Sequence, residues 1–334
     1  MNSCGRIFRL HILGESHGPG VGVVIDGCPA GLPLGPDDFA ADLERRRPRG
    51  AGGTPRRETD RPRLLSGWWR GHTTGAPLAL WIDNGDVDSS AYDELEHLPR
   101  PGHADLVARR KYGGFNDPRG GGHFSGRLTA PLVAAGVVAK KLLAGVDITA
   151  RVLEVGGERD FTEAVARARE EGDSLGGLVE CVARGVPAGL GEPFFDSLES
   201  LLAHLLFSLG GVRGVEFGTG FASAHLRGSE CNDPLVDTAG RTASNHAGGI
   251  NGGISNGNPL VLRVAFKPPS SIAREQHTVD LRSGEITTLK VGGRHDACIA
   301  LRAPVIVEAC CACVLVDLML LAGRLPPVLP RRDG

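Results

Sequence analysis

The stretches GRLTAPLVAAGVVAKKLLAG at 126–145 and ALRAPVIVEACCACVLVDLMLLAG at 300–323 are two versions of one design. From Pro131 to Gly145 the first is apolar on nearly every side, the mark of a helix buried all round rather than laid on a surface. The second has the length of a membrane span. It carries Glu308 and Asp317, however, and has no span-like companion, so a buried helix is the better reading. Another pair repeats as well. GCPAGLPLGPDDFAADLERRR at 27–47 resembles GVPAGLGEPFFDSLESLLAHL at 185–205, in each case a PAGL turn after a strand and then a helix of similar length. Two half-chains of like design, each a sheet with two long helices, would bury their apolar helices between two outer sheets. The expectation is a single-domain α+β sandwich over 1–334, with two antiparallel sheets around long buried helices and an internal pseudo-twofold repeat. Its halves would run over about 5–160 and 161–325, followed by a short tail at 326–334.

The strands and outer helices follow from the hydrophobic period. FRLHILG at 8–14 alternates Phe8, Leu10 and Ile12 with Arg9 and His11, and VGVVID at 21–26 resumes after GESHGPG. The pair reads as a hairpin with Glu15, Ser16 and His17 at its tip. DDFAADLERRR at 37–47 reads as a helix, acidic at its start, basic at its end and stopped by Pro48. Phe39, Leu43 and Arg46 share one face, which puts Arg46 on the buried side and turns Arg45 elsewhere. LLSGWW, APLALWID, 147–155, 177–183, VRGVEFGTGF and PLVLRVAFK read as strands, and 161–171 as a polar helix. Leu198, Leu202, Leu205 and Leu209 hold one face of a further helix, while SNHAGGINGGISNGN at 244–258 reads as a loop.

Composition bounds the function classes. Hydrophobic residues make up 41% and charged residues 23% of the chain, with a net charge of −2, so this is a soluble globular protein without a global field for nucleic acid or an anionic membrane. The 49 glycines are about twice the usual share and point to tight turns and backbone-lined sites. Cys310, Cys311 and Cys313 lie in an apolar run, where cysteine acts as a small hydrophobe, and Cys4, Cys28, Cys181, Cys231 and Cys298 form no CxxC pair. The N-terminal MNSCGRIFRLHILGE has charges where a signal peptide would be apolar, so the expected location is cytoplasmic.

The chemistry-bearing residues gather in four Gly-rich loops: GESHG at 14–18, RPGHADL at 100–106, GGGHFSGR at 120–127 and GGRHDAC at 292–298. Taken singly, a histidine in such a loop is more often structural than catalytic. His17 and His103 are the better acid/base candidates, because Ser16 sits beside the first, and Arg100 and Asp105 flank the second. A metal site is disfavoured, since no HxH, HxxxH or HExxH occurs. From Arg45 to Arg63 there are eight arginines against two acids. That segment reads as a solvated face, a nucleic-acid patch or a grip on a small polyanion. The third suits arginines beside glycine loops, because the guanidinium fork holds a carboxylate or phosphate by two parallel bonds. Arg46, Arg49, Arg100, Arg127 and Arg294 would grip such an anion from several sides.

Together these stretches resemble the chorismate synthase family. GESHGPGVGVVIDGCPAGLPL, RPGHADL, the block from KYGG through GGG to Ser125 and Arg127, EGDSLGG, GVPAGLGEP, GVEFGTGF, SNHAGGINGGISNG, KPPSSI and the run from GRHD to Pro304 match it in order, over about residues 5–322. The resemblance implies conversion of 5-enolpyruvylshikimate 3-phosphate to chorismate by anti-1,4-elimination of phosphate, with reduced FMN (FMNH2) required and no net redox change. It implies His17 and His103 as the acid/base pair and Asp296 as the carboxylate that works with the flavin's nitrogen five. Ser16, Arg46, Arg49, Arg100 and Arg127 would hold substrate. His123, Phe124, Ser125, Gly210, Gly211, Gly252, Lys267, Pro268, Pro269, Ser270, Ser271 and Arg294 would contact the flavin. It further implies a cytoplasmic homotetramer, without a nucleic-acid or membrane partner, in which some members reduce FMN with NADPH and others borrow it reduced.

Three departures from the family pattern stand out. His123-Phe124 replaces an arginine-containing pair before Ser125, Gly210-Gly211 replaces Asn-Ala, and the segment after Arg47 is one residue shorter. Reduced FMN is still expected to bind, with weakened contacts at these points. A nucleic-acid module built on the 45–63 arginines, and a relative that binds both ligands without turnover, stand as the other readings.

Overall fold

The computed structural model describes residues 2–47, 60–85, 94–292 and 296–330. In its first half the strands are β1 (Ser3–Cys4), β2 (Arg9–Gly14), β3 (Gly20–Asp26), β4 (Arg63–Ser66), β5 (Trp68–Trp69), β6 (His72–Thr73) and β7 (Leu78–Asp83). Five of them form an antiparallel sheet in the order β1-β2-β3-β7-β4, and β5 and β6 make a separate two-stranded ribbon. The second half supplies β8 (Asp147–Val155), β9 (Gly177–Arg184), β10 (Val212–Phe217), β11 (Ile250–Asn251), β12 (Ile254–Ser255), β13 (Leu260–Phe266), β14 (Glu275–Val279) and β15 (Ile286–Lys290). A second antiparallel sheet runs β10-β13-β9-β8, while β11-β12 and β14-β15 are two-stranded ribbons. The helices are α1 (Ala40–Arg46), α2 (Asp105–Tyr112), α3 (Thr129–Leu142), α4 (Thr162–Glu170), α5 (Leu198–Phe207), α6 (Gly228–Cys231) and α7 (Pro304–Leu321).

Alternation decides which face of each sheet is covered. Val21, Val23 and Ile25 of β3, with Leu78, Leu80 and Ile82 of β7, are buried on one face, and α3 packs there. Val179, Cys181 and Ala183 of β9, with Leu260, Leu262, Val264 and Phe266 of β13, are buried likewise, and α7 packs on β8 and β9. The two helices then pack on each other. A methyl group at Gly136 of α3 would overlap Ala309 of α7, so glycine is what lets the two backbones approach. Antiparallel sheets packed on buried helices are thus as expected.

The span-length helix α7 is buried inside the protein, and each of its acids has partners there. Glu308 accepts two hydrogen bonds from Arg45, at 2.8 and 2.6 Å, one from Lys140 at 2.7 Å and one from the Ala150 backbone at 2.9 Å. Burial pushes its pKa up, but Arg45 and Lys140 outweigh that and hold the carboxyl below its usual range. Asp317 accepts the backbone N–H groups of Arg6, Ile7 and Phe8 at 2.9, 2.8 and 2.9 Å. Both acids therefore tie outlying segments to the core.

Some local expectations need correction. LLSGWW is not one strand: Gly67, at φ 72°, breaks it into β4 and β5. RPGHADL is not all loop, because α2 starts at Asp105. Its run DLVARRKY buries Ala108 alone, too weak an apolar face to read as a helix. The 244–258 segment contains the β11-β12 ribbon, and of the β14-β15 ribbon only a strand leading to Gly292 was expected, not its partner β14. That last ribbon forms a small satellite core through Leu289 and Val291 with Leu95.

Candidate active site

The β2-β3 hairpin presents GESHG at its tip, where Ser16 is 1% and His17 8% exposed. Against it lies the run Gly120-Gly121-Gly122, with φ values of 59°, 82° and 54° that side-chain-bearing residues rarely adopt. A side chain at Gly120 would overlap the His17 imidazole, and one at Gly122 would strike the Asp117 carbonyl. At Gly121 a methyl would sit 3.4 Å from His103 Cε1. The glycine run therefore passes close to both histidines, which a run of larger residues could not do.

The loop before α2 is locked by its own aspartate. Asp105 accepts Arg100 Nε–H and Nη2–H at 2.8 Å each and lies 2.5 Å from His103 Nδ1. Burial alone would raise the Asp105 carboxyl, but hydrogen bonds from Arg100 and His103 outweigh it and hold it well below the usual carboxylate range. Arg100 also donates to Ser271 Oγ at 2.9 Å, and Ser270 Oγ donates to the Gly102 carbonyl at 2.8 Å. KPPSS is thereby fastened to RPGH. Lys267 donates to Ser270 Oγ at 2.6 Å, and burial first, then the charge of Arg213, pulls its pKa down.

A second set of arginines converges on Asp60. Arg46 Nη1 donates to Asp60 Oδ2 at 3.0 Å, and Arg127 Nη1 donates to Asp60 Oδ1. Arg46 is further held by Thr129 Oγ1 at 3.0 Å and the Gly126 carbonyl at 3.2 Å. Arg127 is held by Asn84 Oδ1 at 2.9 Å and the Asp83 carbonyl at 3.3 Å. Asp60 has a φ of 34°, a left-handed conformation that costs a residue with a side chain roughly 1–2 kcal/mol. Asp296 pairs with Arg302 at 2.5 Å.

These groups open on one cavity of about 680 Å³. Its described lining carries seven cationic side chains, Arg46, Arg47, Arg100, Arg127, Arg213, Lys267 and Arg302, against the carboxylates of Asp60 and Asp296. Phe124, Val107, Ile299, Pro268 and Pro269 supply apolar walls. Such a hollow suits a multiply charged anion beside a flat apolar ring.

Of the residues singled out in the sequence, Ser16, Arg46, Arg100, His103, Phe124, Ser125, Arg127, Gly210, Gly211, Lys267, Pro268, Pro269, Ser270, Ser271 and Asp296 line this cavity. His17 is not a lining residue, since it lies against Gly120. His123 turns away: its Nδ1 is 2.9 Å from the Gly14 carbonyl and its Nε2 3.2 Å from Asn2 Oδ1. Gly252 lies in the turn of the β11-β12 ribbon, outside the lining. Arg49 and Arg294 fall outside the described residues. Sequence reasoning missed Asp60, Asn84, Arg213 and Arg302. Asp60 was one of two acids among eight arginines, and that imbalance was the available signal.

Comparison with known proteins bears on the same set. A family model described as chorismate synthase matches residues 8–320. A chorismate synthase of Chitinophaga pinensis is 56% identical over 325 residues, covering 97% of this chain and 98% of the relative. One of Korarchaeum cryptofilum is 48% identical over 345 residues, covering 94% and 96%. A crystal structure titled as chorismate synthase superposes with a TM-score of 0.74 at 28% identity, covering 95% of this chain and 93% of that one.

Proposed function

The chain belongs to the chorismate synthase family, and from that premise we propose that it eliminates phosphate from 5-enolpyruvylshikimate 3-phosphate to give chorismate, with reduced FMN in the same cavity. The observation that carries the reading is that seven cations, two of them paired behind the lining (Arg47 with Glu44, Arg100 with Asp105), and only two lining carboxylates surround a hollow that also has apolar walls. The substrate has two carboxylates and a phosphate, so a positive lining offsets its desolvation.

The residues present fit a flavin. Phe124, Val107, Ile299 and the two prolines would offer it apolar contact, and a methyl at Gly211 would meet Ile299 Cδ1 at 2.7 Å, so glycine there is what lets Ile299 pack against the backbone. Reduced FMN, when bound, lends electron density to the reacting ring and takes it back, which is why the reaction needs it without net oxidation. His123 contacts the hairpin rather than the cavity, so Ser125, Gly210, Gly211 and the 267–271 loop would carry the binding.

The other roles belong to this chain's own groups. Arg46 and Arg127, pinned by Asp60, and Arg100, pinned by Asp105, present positive charge in fixed orientations for the carboxylates and phosphate. His103, whose Nδ1 faces Asp105, directs its Nε2 side at Gly121 and is placed to donate a proton. His17 sits beside Ser16 behind the glycine run as its acid/base companion. Asp296, held by Arg302, is the carboxylate placed to accept the departing proton. The family reading also carries a single domain with pseudo-twofold halves and a cytoplasmic homotetramer. The adjacent Phe194 and Phe195, 85% and 92% exposed, support assembly.

An anaerobic assay with supplied reduced FMN tests the reading without requiring NADPH. Equal amounts of chorismate and phosphate are expected. Folded protein that releases neither would overturn it.

A further inference from the structure

The end of β7 delivers one side chain to two functional segments. Asp83 pairs with Gly20 beside the mouth of the β2-β3 hairpin, and the next residue, Asn84, donates its backbone N–H to the Pro19 carbonyl at 3.1 Å. The Asn84 amide nitrogen lies 3.0 Å from the Glu15 carbonyl, 3.0 Å from that of Ser16 and 2.9 Å from that of Gly18. These are three carbonyls of the tip that carries Ser16 and His17. On its other side the amide oxygen accepts Arg127 Nε–H at 2.9 Å.

The chemistry of the partners fixes the amide's orientation. Carbonyl oxygens need a donor and a guanidinium needs an acceptor, so a flipped amide would set like against like at all four contacts. Few residues suit both sides. Aspartate keeps an acceptor for Arg127 but turns an oxygen toward three carbonyls. Alanine offers neither partner. Arg127 has further anchors in Asp60 and the Asp83 carbonyl, and the tip has a backbone tie from Ser16 N–H to the Gly122 carbonyl at 3.1 Å.

We propose that Asn84 is a positioning residue for the elimination: it fixes the Ser16-His17 tip relative to the Arg127 guanidinium. The imidazole and the cation that receives the substrate are then held in one register although they come from segments more than a hundred residues apart. A displacement of about 1 Å in such a pair lowers rate on the order of a hundredfold. This rests on the reading of the cavity as the elimination site.

Asn84 is tested with two variants, Asn84→Asp and Asn84→Ala, in the anaerobic assay with supplied reduced FMN, alongside thermal melts and FMN titration. Asn84→Asp is expected to lose at least about thirtyfold in kcat with KM within threefold, because Arg127 keeps its acceptor. Asn84→Ala is expected to lose similarly in kcat and to raise KM at least about fivefold, because the Arg127 Nε–H loses its Asn84 acceptor as well. FMN affinity should hold within about threefold in both. A kcat within threefold of the parent, or a loss that merely tracks the unfolded fraction, would overturn the proposal. If Asn84→Asp does not fold, the kcat and KM of Asn84→Ala decide it by the same limits. An inactive parent chain would sink the functional reading, whereas an active parent with unaffected variants sinks the role of Asn84.

Discussion

Arg45 and Arg46 are neighbours on α1 and serve two different ion clusters. Arg45 reaches Glu308 at 2.6 Å and Asp42 at 3.1 Å, and Lys140 joins both carboxylates at 2.7 Å. That cluster has two cations and two carboxylates, sits against the core helices and is neutral. Arg46 shares Asp60 with Arg127 among the described residues, with all three side chains 4% exposed or less. Both arginines face a cavity that also receives Arg100, Arg213, Lys267 and Arg302. Desolvated charge costs several kcal/mol per ion unless it is matched. The first cluster lies away from the cavity and serves the core; the second lines the cavity, where its cations can meet an anionic ligand.

The widest separation should come from removing a cation on each side. Arg127→Ala is expected to lower kcat/KM by about a thousandfold, or roughly 4 kcal/mol, as when a buried charge loses its partner. Arg45→Ala should leave turnover per folded molecule within about threefold, since none of the residues in that cluster lines the cavity. Equal losses in steady-state kinetics would erase the distinction. Next in size, Glu308→Ala leaves Lys140 and Arg45 with Asp42 as their one shared carboxylate among the described residues and should destabilise by about 3 kcal/mol, read from urea unfolding midpoints. Activity of the folded fraction should survive. Gly136→Ala, on the same helix as Lys140, should cost about 1–3 kcal/mol through overlap with Ala309, by the same measurement.

The smallest effect is a difference in acid sensitivity. Asp105 titrates below its unfolded value of about 4, because Arg100 and His103 outweigh its burial. A depressed carboxyl adds stability that is fully present above about pH 4 and fades as pH falls toward the folded pKa. Asp105→Asn should therefore lower stability at neutral pH and flatten its decline below about pH 4. Unfolding midpoints that keep the parental slope would contradict this.

Much of the scaffold was readable from the chain. Alternation in FRLHILG and PLVLRVAFK gave β2 and β13, and the all-round apolar runs gave α3 and α7. Residue spacing on α1 put Arg46 inside and Arg45 elsewhere, as observed. What escaped depends on long-range partners. Nothing local marks Asn84 as the bridge between the hairpin tip and Arg127, or Asp60 as the hub for two arginines. α2 was lost because a helix with one buried residue has no period to read. The arginines also proved less available than the sequence suggested, since Arg46, Arg100 and Arg127 are each pinned by a carboxylate of the protein.

The central claim is that substrate and flavin share one positively lined hollow. Its most direct test is an FMN titration of the purified protein, followed by absorbance, with and without 5-enolpyruvylshikimate 3-phosphate. The shared cavity predicts that adding the phosphorylated acid perturbs the bound flavin's spectrum and shifts its Kd, and that Arg127→Ala abolishes both effects. A spectrum and Kd indifferent to saturating substrate would place the two ligands apart and contradict the account.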